Sequence, residues 1–453
     1  MYPKFRVSHV LAVLLALVPL AYLVRLCVLR TVDVPFWDAW SLVPRLDRLT
    51  HGALTLEDFR GLHNEHRPAV PIAVMLLLAR LSGWDTRWEI AFNLAVGAAI
   101  FAVYCLYLRT AWRAHGGAPI WLVPAFSLLL FSTVQWENWL WGWQMTVLLC
   151  ALFSALIAYL LAQGPRPGRL WGAIACAVAA SYSFGSGLIL WPSQAPGVWI
   201  AGGSRRLARL GVWTAIGILT WVSYFYDFRR AGQPSALSNF TSLAAVRAYV
   251  TYVFTYLGTP IASYDSRLTI LAGLAAVAVF AALLIRLRGL RTDPVYLFPM
   301  LVGLQSIASA FVSGLGRTWM GIDQARSSRY TTLTIPLWCA VMILAVLWRR
   351  KAPVVEPLRH RHWALTAATV VLILGMLASS VKSTREGVFM AAGHTEIMMF
   401  ARRGVLSGRS DTLLLRSFPV VSLVRQYRAT LMRLHMGPFR PSAQPSYPLP
   451  GPE

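Results

Sequence analysis

Chemically reactive side chains are concentrated in one polar stretch near the start of this otherwise apolar chain. Asp33 and Asp38 follow the first long apolar run, and tryptophans stand at positions 37 and 40 on either side of Asp38. A carboxylate at the end of a helix, partly shielded by aromatic rings, has the properties of a general base that takes a proton from a hydroxyl group. Asp38 is therefore the first candidate catalytic residue, and Asp33 is the second. The alternative is that Asp38 only caps the helix predicted to begin near Ser41.

A second polar segment, from His63 to Arg67 (His-Asn-Glu-His-Arg), follows about 25 residues later. Two histidines spaced i, i+3 can meet on one face of a helix, so His63 and His66, with the carboxylate of Glu65, could hold a divalent metal. However, Pro68 follows at once, and a proline favours extended backbone in the residue before it. Three interpretations stay open: metal binding, polar contacts from this segment to a phosphate or a sugar, and a solvated turn.

Four tryptophans and four polar side chains crowd residues 135–144 (QWENWLWGWQ). Tryptophans collect at membrane interfaces in general, which is a sufficient explanation on its own. Glu137, Trp141 and Gln144 nevertheless share one face of a helix, and an acid beside a bilayer is costly unless it is paired or used. Because tryptophan faces also suit sugar rings, we treat these three residues as candidate substrate-binding residues.

Two later stretches are rich in groups that bind anions. Ser183 and Ser186 lie in a glycine-rich apex, where free backbone N–H groups would form an anion site, or where the glycines only allow close packing. Residues 316–330 contain three arginines, and a guanidinium group can bind two oxygens of one phosphate. The alternative is that these arginines form ion pairs with Asp323 or with an acid of the first loop. The candidates in this stretch are Arg317, Arg326, Arg329 and Tyr330.

Long apolar runs make up most of the remaining sequence. Of the 453 residues, 57% are hydrophobic and only 13% are charged, which is too few charges to cover the surface of a soluble protein of this size. Apolar runs of roughly 18–22 residues recur along the chain, and a helix of about 20 such residues spans a bilayer. The sequence therefore predicts an all-α polytopic membrane protein, because helices satisfy their own backbone hydrogen bonds in lipid.

The formal net charge of +24 comes mostly from arginines that punctuate the apolar runs. This pattern indicates membrane topology rather than a nucleic-acid surface, since Lys and Arg collect in short cytoplasmic loops. We therefore expect no nucleic-acid partner, and we expect membrane lipids to meet the outward cations.

The basic residues also orient the predicted helices. Lys4 and Arg6 precede the first helix and place the N-terminus inside. Alternating crossings then give about eleven transmembrane helices with an N-in, C-out topology, and residues 227–267 become an outer loop with an amphipathic aromatic segment. The predicted helices cover residues 8–29, 89–108, 119–134, 139–162, two short helices within 170–201, then 210–226, 268–285, 295–313, 331–348 and 363–381.

This topology gives one membrane domain, residues 1–381, with two polar outer loops. Residues 30–88 form the first outer loop and carry a short apolar helix, 68–82, that is expected to lie at the membrane interface. Residues 316–330 form the second. We expect residues 382–453 to be an outer tail, disordered from about residue 438 because of its proline-rich composition.

The five cysteines, at positions 27, 105, 150, 176 and 339, all fall inside apolar runs. None has the Cys-x-x-Cys spacing of metal clusters and redox sites. We therefore expect no disulfide and no cysteine metal site.

Taken together, these features resemble the GT-C class of polyprenyl-phosphate-dependent glycosyltransferases, such as protein mannosyltransferases and aminoarabinose transferases. The resemblance rests on a first helix followed at once by an outer loop with an acid, Asp38, then a polar turn before Pro68 and an interfacial helix that ends at Gly83. The segments WENWLWGWQ, SFGSGLILWP and SRYTT are similar to segments of a set of bacterial membrane proteins. Ala39 follows Asp38, so the first loop has no Asp-x-Asp or Asp-Glu pair; no cofactor is assigned, and a divalent metal stays an open possibility.

The resemblance implies an enzyme of the bacterial cytoplasmic membrane with its active site on the outer, periplasmic face. It would transfer a sugar from a polyprenyl-phosphate donor to a glycan, lipid or protein acceptor, with inversion at the anomeric carbon. Asp38 would take the proton of the acceptor. Arg326 and Arg329 would hold the leaving phosphate, whose charge grows in the transition state.

Other functions are compatible with a polytopic chain. A lipid-linked glycan transporter or flippase would place polar residues along a path through the membrane, whereas the candidates here collect at the ends of predicted helices. An O-antigen ligase or polymerase would be expected to carry its arginine and histidine in a long late outer loop, whereas the late loop here is short. A binding subunit without catalytic activity also stays open.

Overall fold

The computed structural model describes residues 7–228, 234–351 and 359–442. The fold is 82% helical, with no strand in the described ranges. The helices, in chain order, are α1 Val7–Arg30, α2 Val43–Thr50, α3 Glu57–Arg60, α4 Ala69–Ser82, α5 Thr86–Ala111, α6 Leu122–Leu130, α7 Trp136–Leu140, α8 Met145–Ala162, α9 Pro167–Ser181, α10 Leu190–Ile200, α11 Arg206–Phe225, α12 Leu243–Ala262, α13 Ser266–Arg286, α14 Pro294–Arg317, α15 Ile322–Ala325, α16 Thr331–Lys351, α17 Arg359–Ser407, α18 Asp411–Leu414 and α19 Val421–Leu434.

Seven of the described helices are long and apolar enough to cross a membrane: α1, α5, α8, α11, α13, α14 and α16. This confirms the predicted all-α class and is compatible with a polytopic membrane protein. The count of eleven crossings and the N-in orientation stay predictions.

Aspartates begin three of these long helices. The carboxylates of Asp85, Asp265 and Asp293 accept backbone N–H groups at the starts of α5, α13 and α14. In α14 the first helical residue is Pro294, whose missing N–H costs nothing at that position. These caps fix the residue at which each long helix begins. Their carboxylates accept backbone N–H groups that the first turn of a helix otherwise leaves unpaired.

The loops gather at two opposite ends of the helical bundle. At one end, called the basic end, the Arg350 guanidinium donates to the carbonyls of His115 and Gly117 at 3.0 and 2.8 Å. There the ring of His115 also lies 2.8 Å from the Asp293 carboxylate. The other end, called the polar end, carries the first loop, the tryptophan-rich stretch, the apex and the late arginine loop.

Three predicted crossings contain helices shorter than a bilayer-spanning one. Helix α6 has 9 residues, α9 has 15 and α10 has 11. Helices α9 and α10 meet at the apex, residues 182–189, as the interrupted apolar run predicted. At the apex a Cβ atom on Gly187 would lie 2.0 Å from the carbonyl oxygen of Ala180, so only glycine fits this return of the chain.

Helix α12 occupies a stretch that the sequence predicted to be part of a loop. It has 20 residues, and its Tyr252, Tyr256 and Leu257 are buried in the bundle. It packs closely on α13, where a Cβ atom on Gly258 would lie 1.8 Å from the carbonyl oxygen of Thr269. A continuous helix of this length was not predicted, because tyrosines and threonines lower the hydropathy of this segment, although their side chains are buried between helices.

Helix α17 is longer than any membrane crossing requires. Its 49 residues correspond to about 73 Å at about 1.5 Å per residue, whereas the hydrocarbon core is about 30 Å thick. The predicted last crossing, 363–381, is therefore only the first part of this helix. Residues 382–407, which we expected to be tail, continue this helix along the polar end, where Thr395 donates to the carbonyl of Arg30.

The C-terminal part of the chain packs on the first loop and forms a second hydrophobic core with it. We call this unit the head, defined as residues 31–84 with residues 394–440. Its buried apolar residues come from both segments and include Trp40, Leu46, Met75, Trp84, Ala401, Val405, Leu414, Val424 and Leu431. Residues 394–440 are therefore half of the head rather than a free tail.

A buried ion-pair network joins the two segments of the head to the start of α5. The Arg440 guanidinium pairs with Asp33 and, at 2.8 Å, with Asp85. Asp33 also accepts hydrogen bonds from the backbone N–H and the hydroxyl of Thr86, both at 3.0 Å. We expected disorder from about residue 438, but Pro438 is buried and Arg440 is only 6% exposed; residues 443–453 lie outside the described residues.

Replacing Arg440 by Gln is expected to lower the free energy of unfolding by about 3–5 kcal/mol, because the buried carboxylate of Asp33 loses its cation. Intrinsic fluorescence during thermal unfolding in detergent micelles measures this change. Arg433→Gln is the matched control: Arg433 pairs with Asp47 on the surface, and its loss should cost less than about 1 kcal/mol. Equal melting temperatures for the two variants would contradict the role of the network.

Candidate functional site

The loops of the polar end enclose a cavity of about 390 Å³, called the polar cavity. The first loop, residues 141–146, the apex and the late arginine loop each contribute to its wall. Among the sequence-predicted site residues, the lining contains Asp38, His63, Glu65, His66, Trp141, Gln144, Ser183, Arg317, Arg329 and Tyr330.

Asp38 lies in a short 3-10 turn whose backbone is held by the C-terminal half of the head. Trp37 has φ +46°, a left-handed conformation that is uncommon for a bulky residue. Its N–H donates to the carbonyl oxygen of Ser417 at 2.8 Å. No side chain caps α2, so Asp38 is not the helix cap that was the alternative interpretation. Strained backbone of this kind persists where the surroundings enforce it, often beside functional groups.

The Asp38 carboxylate lies beside an imidazole in the wall of the polar cavity. Its Oδ1 lies 3.1 Å from Nε2 of His63, and both side chains are largely shielded from solvent. The His63 ring packs on Trp143, with ring centroids 4.5 Å apart. Nε2 of His63 makes no hydrogen bond within the described residues, so the Asp38 carboxylate stays available to take a proton from a bound hydroxyl group.

The segment around the two histidines is a tight turn and not a helix. The backbone of His63 and that of His66 exchange two hydrogen bonds, at 2.8 and 3.0 Å, and Asn64 between them has φ +51°. The His63 ring packs on Trp143 and the His66 ring on Phe184. Within the described residues, no three metal-ligating side chains lie close enough together to hold one metal ion. The predicted divalent metal therefore has no set of ligands there.

The His66 side chain is shielded from solvent to about the same extent as that of His63. Its ring packs on Phe184 at 4.6 Å between centroids, and a Cβ atom on Gly185 would come within 2.7 Å of its Nδ1. Burial lowers the pKa of His66 to about 4, with the carboxylate of Glu65 opposing the shift and the Arg317 guanidinium adding to it. The imidazole is therefore uncharged at neutral pH.

The pKa of His66 predicts a loss of stability in acid. An unfolded histidine titrates near about 6.5, so between pH 6.5 and 4 the unfolded chain binds a proton that folded His66 does not. Stability should fall as the pH falls through this window, by on the order of 1–3 kcal/mol from this residue. Melting temperatures across pH 4–8 should fall less steeply in His66→Gln, while exposed His51→Gln should match the wild type. Identical slopes in all three proteins would contradict the prediction.

The two arginines of the polar cavity differ in their partners. Arg317 pairs with Glu65, and its guanidinium also donates to the Tyr330 hydroxyl at 2.5 Å. Arg329 has no acidic partner among the described residues, and its buried Nε has no hydrogen-bond acceptor there. Both guanidinium groups lie 5.7 Å from the centre of the Tyr330 ring. The cavity thus presents an uncompensated cation, which favours an anionic ligand such as a phosphate.

A tryptophan-rich wall completes the polar cavity. Trp141, Trp143, Gln144 and Thr146 line it and are all more than nine-tenths buried. The indole N–H of Trp141 has no acceptor among the described residues. Flat aromatic surfaces beside hydrogen-bonding groups suit a sugar ring, which has apolar faces and a rim of hydroxyl groups.

Two predicted site residues are engaged in the framework around the cavity. Asp33 is held in the head by Arg440, remote from the cavity lining. The Arg67 guanidinium is buried and donates to the carbonyls of Tyr224, Arg60 and Tyr226 at 2.7, 2.5 and 2.6 Å. Arg67 therefore ties the first loop to the end of α11 and does not face a ligand.

Glu137 and Arg326 lie on the far side of the late loop. One carboxylate oxygen of Glu137 accepts the hydroxyls of Ser327 and Ser328, at 3.1 and 2.7 Å, and the N–H of Arg329 at 3.2 Å. Glu137 thereby fixes the backbone from which Arg329 reaches the polar cavity. The Arg326 guanidinium donates to the carbonyl of Ser263 and lines a separate cavity of about 310 Å³. The expected cluster of three arginines is therefore a pair, Arg317 and Arg329.

A second cavity of about 360 Å³, called the apolar cavity, adjoins the polar one. Glu65, His66, Arg317 and Tyr330 line both cavities, and Ser186 lies on the apolar side. Its other walls come from α11, α14 and the apex and include Phe184, Leu188, Phe225, Phe228, Val312 and Leu315. The two cavities together match a ligand with an anionic head and a hydrocarbon tail.

Several lining residues were not among the sequence-predicted candidates. Trp37 and Trp143 belong to segments that were singled out, and their tryptophan content was the available signal. Trp319 and Phe184 lie beside predicted residues but carry no distinguishing pattern. No family model matches the chain, and neither a curated protein nor a solved structure matches it, so the geometry of the polar cavity is the basis for assigning a function.

Proposed function

We propose that the protein is a membrane-embedded glycosyltransferase that moves a sugar from a polyprenyl-phosphate donor to an acceptor hydroxyl. The acceptor belongs to a glycan, a lipid or a protein, and transfer takes place at the outer face of the bacterial cytoplasmic membrane. One observation carries the proposal: a carboxylate, Asp38, and an uncompensated cation, Arg329, line one cavity that adjoins an apolar one.

The proposed reaction is a single displacement. The acceptor oxygen attacks the anomeric carbon and forms the new glycosidic bond, while Asp38 takes the hydroxyl proton. The bond between the anomeric carbon and the phosphate oxygen breaks, and its electron pair stays on the phosphate. Arg329 stabilises this charge as it grows. The His63 imidazole packs 3.1 Å from the Asp38 carboxylate and limits the space into which this carboxylate can turn.

The two cavities support a lipid-linked donor. The hydrocarbon chain fits the apolar walls formed by α11 and α14, and the phosphate then lies near Arg317 and Arg329. The sugar extends from there toward Trp141, Trp143 and Gln144. A transport path through the bundle has less support, because the cavity between Gln135, Gln305 and Thr332 measures only about 20 Å³, room for about one water molecule.

Mass spectrometry of lipid-linked sugars and surface glycans in a deletion strain tests the proposal. We expect one polyprenyl-phosphate sugar to accumulate and the corresponding sugar to disappear from a surface glycan, lipid or protein. Expression of the wild-type gene should restore both. Unchanged lipid-linked sugars and unchanged surface glycans in the deletion strain would overturn the proposed function.

A further inference from the structure

Glu65 lies at the boundary between the polar and the apolar cavity. It is the third residue of the tight turn from His63 to His66, and it lines both cavities. Its Oε1 pairs with the guanidinium of Arg317, and the side chains are 26% and 20% exposed. One of the two cations available to an anionic ligand is thus already neutralised by an acid of the protein.

An amphiphilic phosphate at Arg317 meets this acid as a competitor for the charge of the guanidinium. A ligand with its tail in the apolar cavity and its head in the polar cavity places its phosphate at the boundary, where Arg317 and Arg329 flank Tyr330. Two anions on one guanidinium repel each other, and a partly exposed carboxylate can be solvated when it leaves. The phosphate and Glu65 therefore compete for Arg317.

The local structure permits Glu65 to move while its backbone stays in place. The turn is held by backbone hydrogen bonds between His63 and His66, which do not involve the Glu65 side chain. The Glu65 carboxylate lies 3.7 Å from Nε2 of His66 and is partly exposed at the boundary of the two cavities. A rotation of this side chain exchanges the Arg317 contact for solvent without a change in the turn.

We propose that Glu65 is an exchangeable counter-ion of Arg317. It pairs with Arg317 in the empty site, gives way to the phosphate of an entering prenyl phosphate, and returns to help expel the prenyl-phosphate product. This proposal rests on the proposed function, since it concerns the lipid phosphate of that reaction. Its consequence is that Glu65 weakens phosphate binding and speeds phosphate release.

Binding of farnesyl phosphate to the full-length protein in lipid nanodiscs tests the exchange. Glu65→Gln should bind farnesyl phosphate about three- to tenfold more tightly, with slower dissociation, because Arg317 loses its competing anion. Glu57→Gln is the matched control: it makes the same chemical change in the same loop, at an exposed position outside both cavities. In an Arg317→Gln background, adding Glu65→Gln should bring no gain, because the effect passes through Arg317.

The outcomes distinguish a failure of the counter-ion proposal from a failure of the proposed function. Unchanged or weaker binding by Glu65→Gln, or a gain that persists without Arg317, overturns the exchange; wild-type binding that depends on Arg329 then still supports the proposed function. Absence of farnesyl phosphate binding by folded wild-type protein overturns both. Should Glu65→Gln fail to fold, Glu65→Asp serves instead, because its shorter side chain weakens the pair with Arg317. This variant should bind farnesyl phosphate more tightly than the wild type. An unchanged affinity contradicts the exchange.

Discussion

Replacing Asp38 by Asn is expected to slow sugar transfer by about 10²- to 10⁴-fold, the usual contribution of a positioned general base. The amide keeps the size of the side chain and can stay beside His63, but it cannot accept the proton of the acceptor hydroxyl. Transfer from a polyprenyl-phosphate sugar to the acceptor, followed by mass spectrometry with purified protein, measures the rate. The melting temperature should change little, because Asp38 lies at the cavity and not in the buried core of the head.

Asp47→Asn is the control for the Asp38 variant. Asp47 belongs to the same loop, and its carboxylate pairs with Arg433 on the surface of the head. We expect transfer by Asp47→Asn to match the wild type. Asp38→Asn should still bind farnesyl phosphate, since the phosphate contacts lie on the late loop. A wild-type transfer rate in Asp38→Asn would remove the general base from the proposed mechanism.

Replacing Arg329 by Gln is expected to lower the transfer rate by about 10²- to 10³-fold, as the loss of a group aimed at developing charge typically does. Arg329 is the cavity arginine without an acidic partner among the described residues, so its charge is available to the leaving phosphate. Binding of farnesyl phosphate should weaken at the same time. Arg329→Lys should restore part of the rate, because it restores the charge without the planar fork of the guanidinium.

Arg326 provides the matched control for Arg329. The two arginines are separated by three positions, but the Arg326 guanidinium donates to the carbonyl of Ser263 and faces a different cavity. Arg326→Gln should therefore leave the transfer rate near that of the wild type. An equal loss in both variants would indicate that the late loop acts through its fold and not through the charge of Arg329.

The membrane class and much of the candidate site could be predicted from local sequence. Hydropathy predicts the helices because each apolar run is a property of consecutive residues. The grouping of Asp38 with Arg326 and Arg329 was a weaker prediction, based on helix ends that share one side of the membrane. The structure places Asp38 and Arg329 in the lining of the polar cavity, whereas Arg326 lines a different one.

Contacts between distant parts of the chain could not be predicted in this way. Nothing near Asp33 in the sequence signals that Arg440 neutralises it, and nothing near Glu137 signals that its carboxylate holds the N–H of Arg329. Both acids fit a catalytic role by type and position. Their partners are fixed by the packing of the head and of the late loop, which no single segment specifies.

The hydrogen bond from the Trp37 N–H to the Ser417 carbonyl has a consequence for synthesis of the protein. The ribosome synthesises the turn that carries Asp38 early. Ser417, whose carbonyl holds this turn, is synthesised near the end of the chain. A nascent chain that has not yet reached Ser417 and Arg440 holds neither the left-handed backbone of Trp37 nor the charge that balances Asp33. A chain that ends before Ser417 therefore lacks the restraint that holds the turn carrying Asp38 in place.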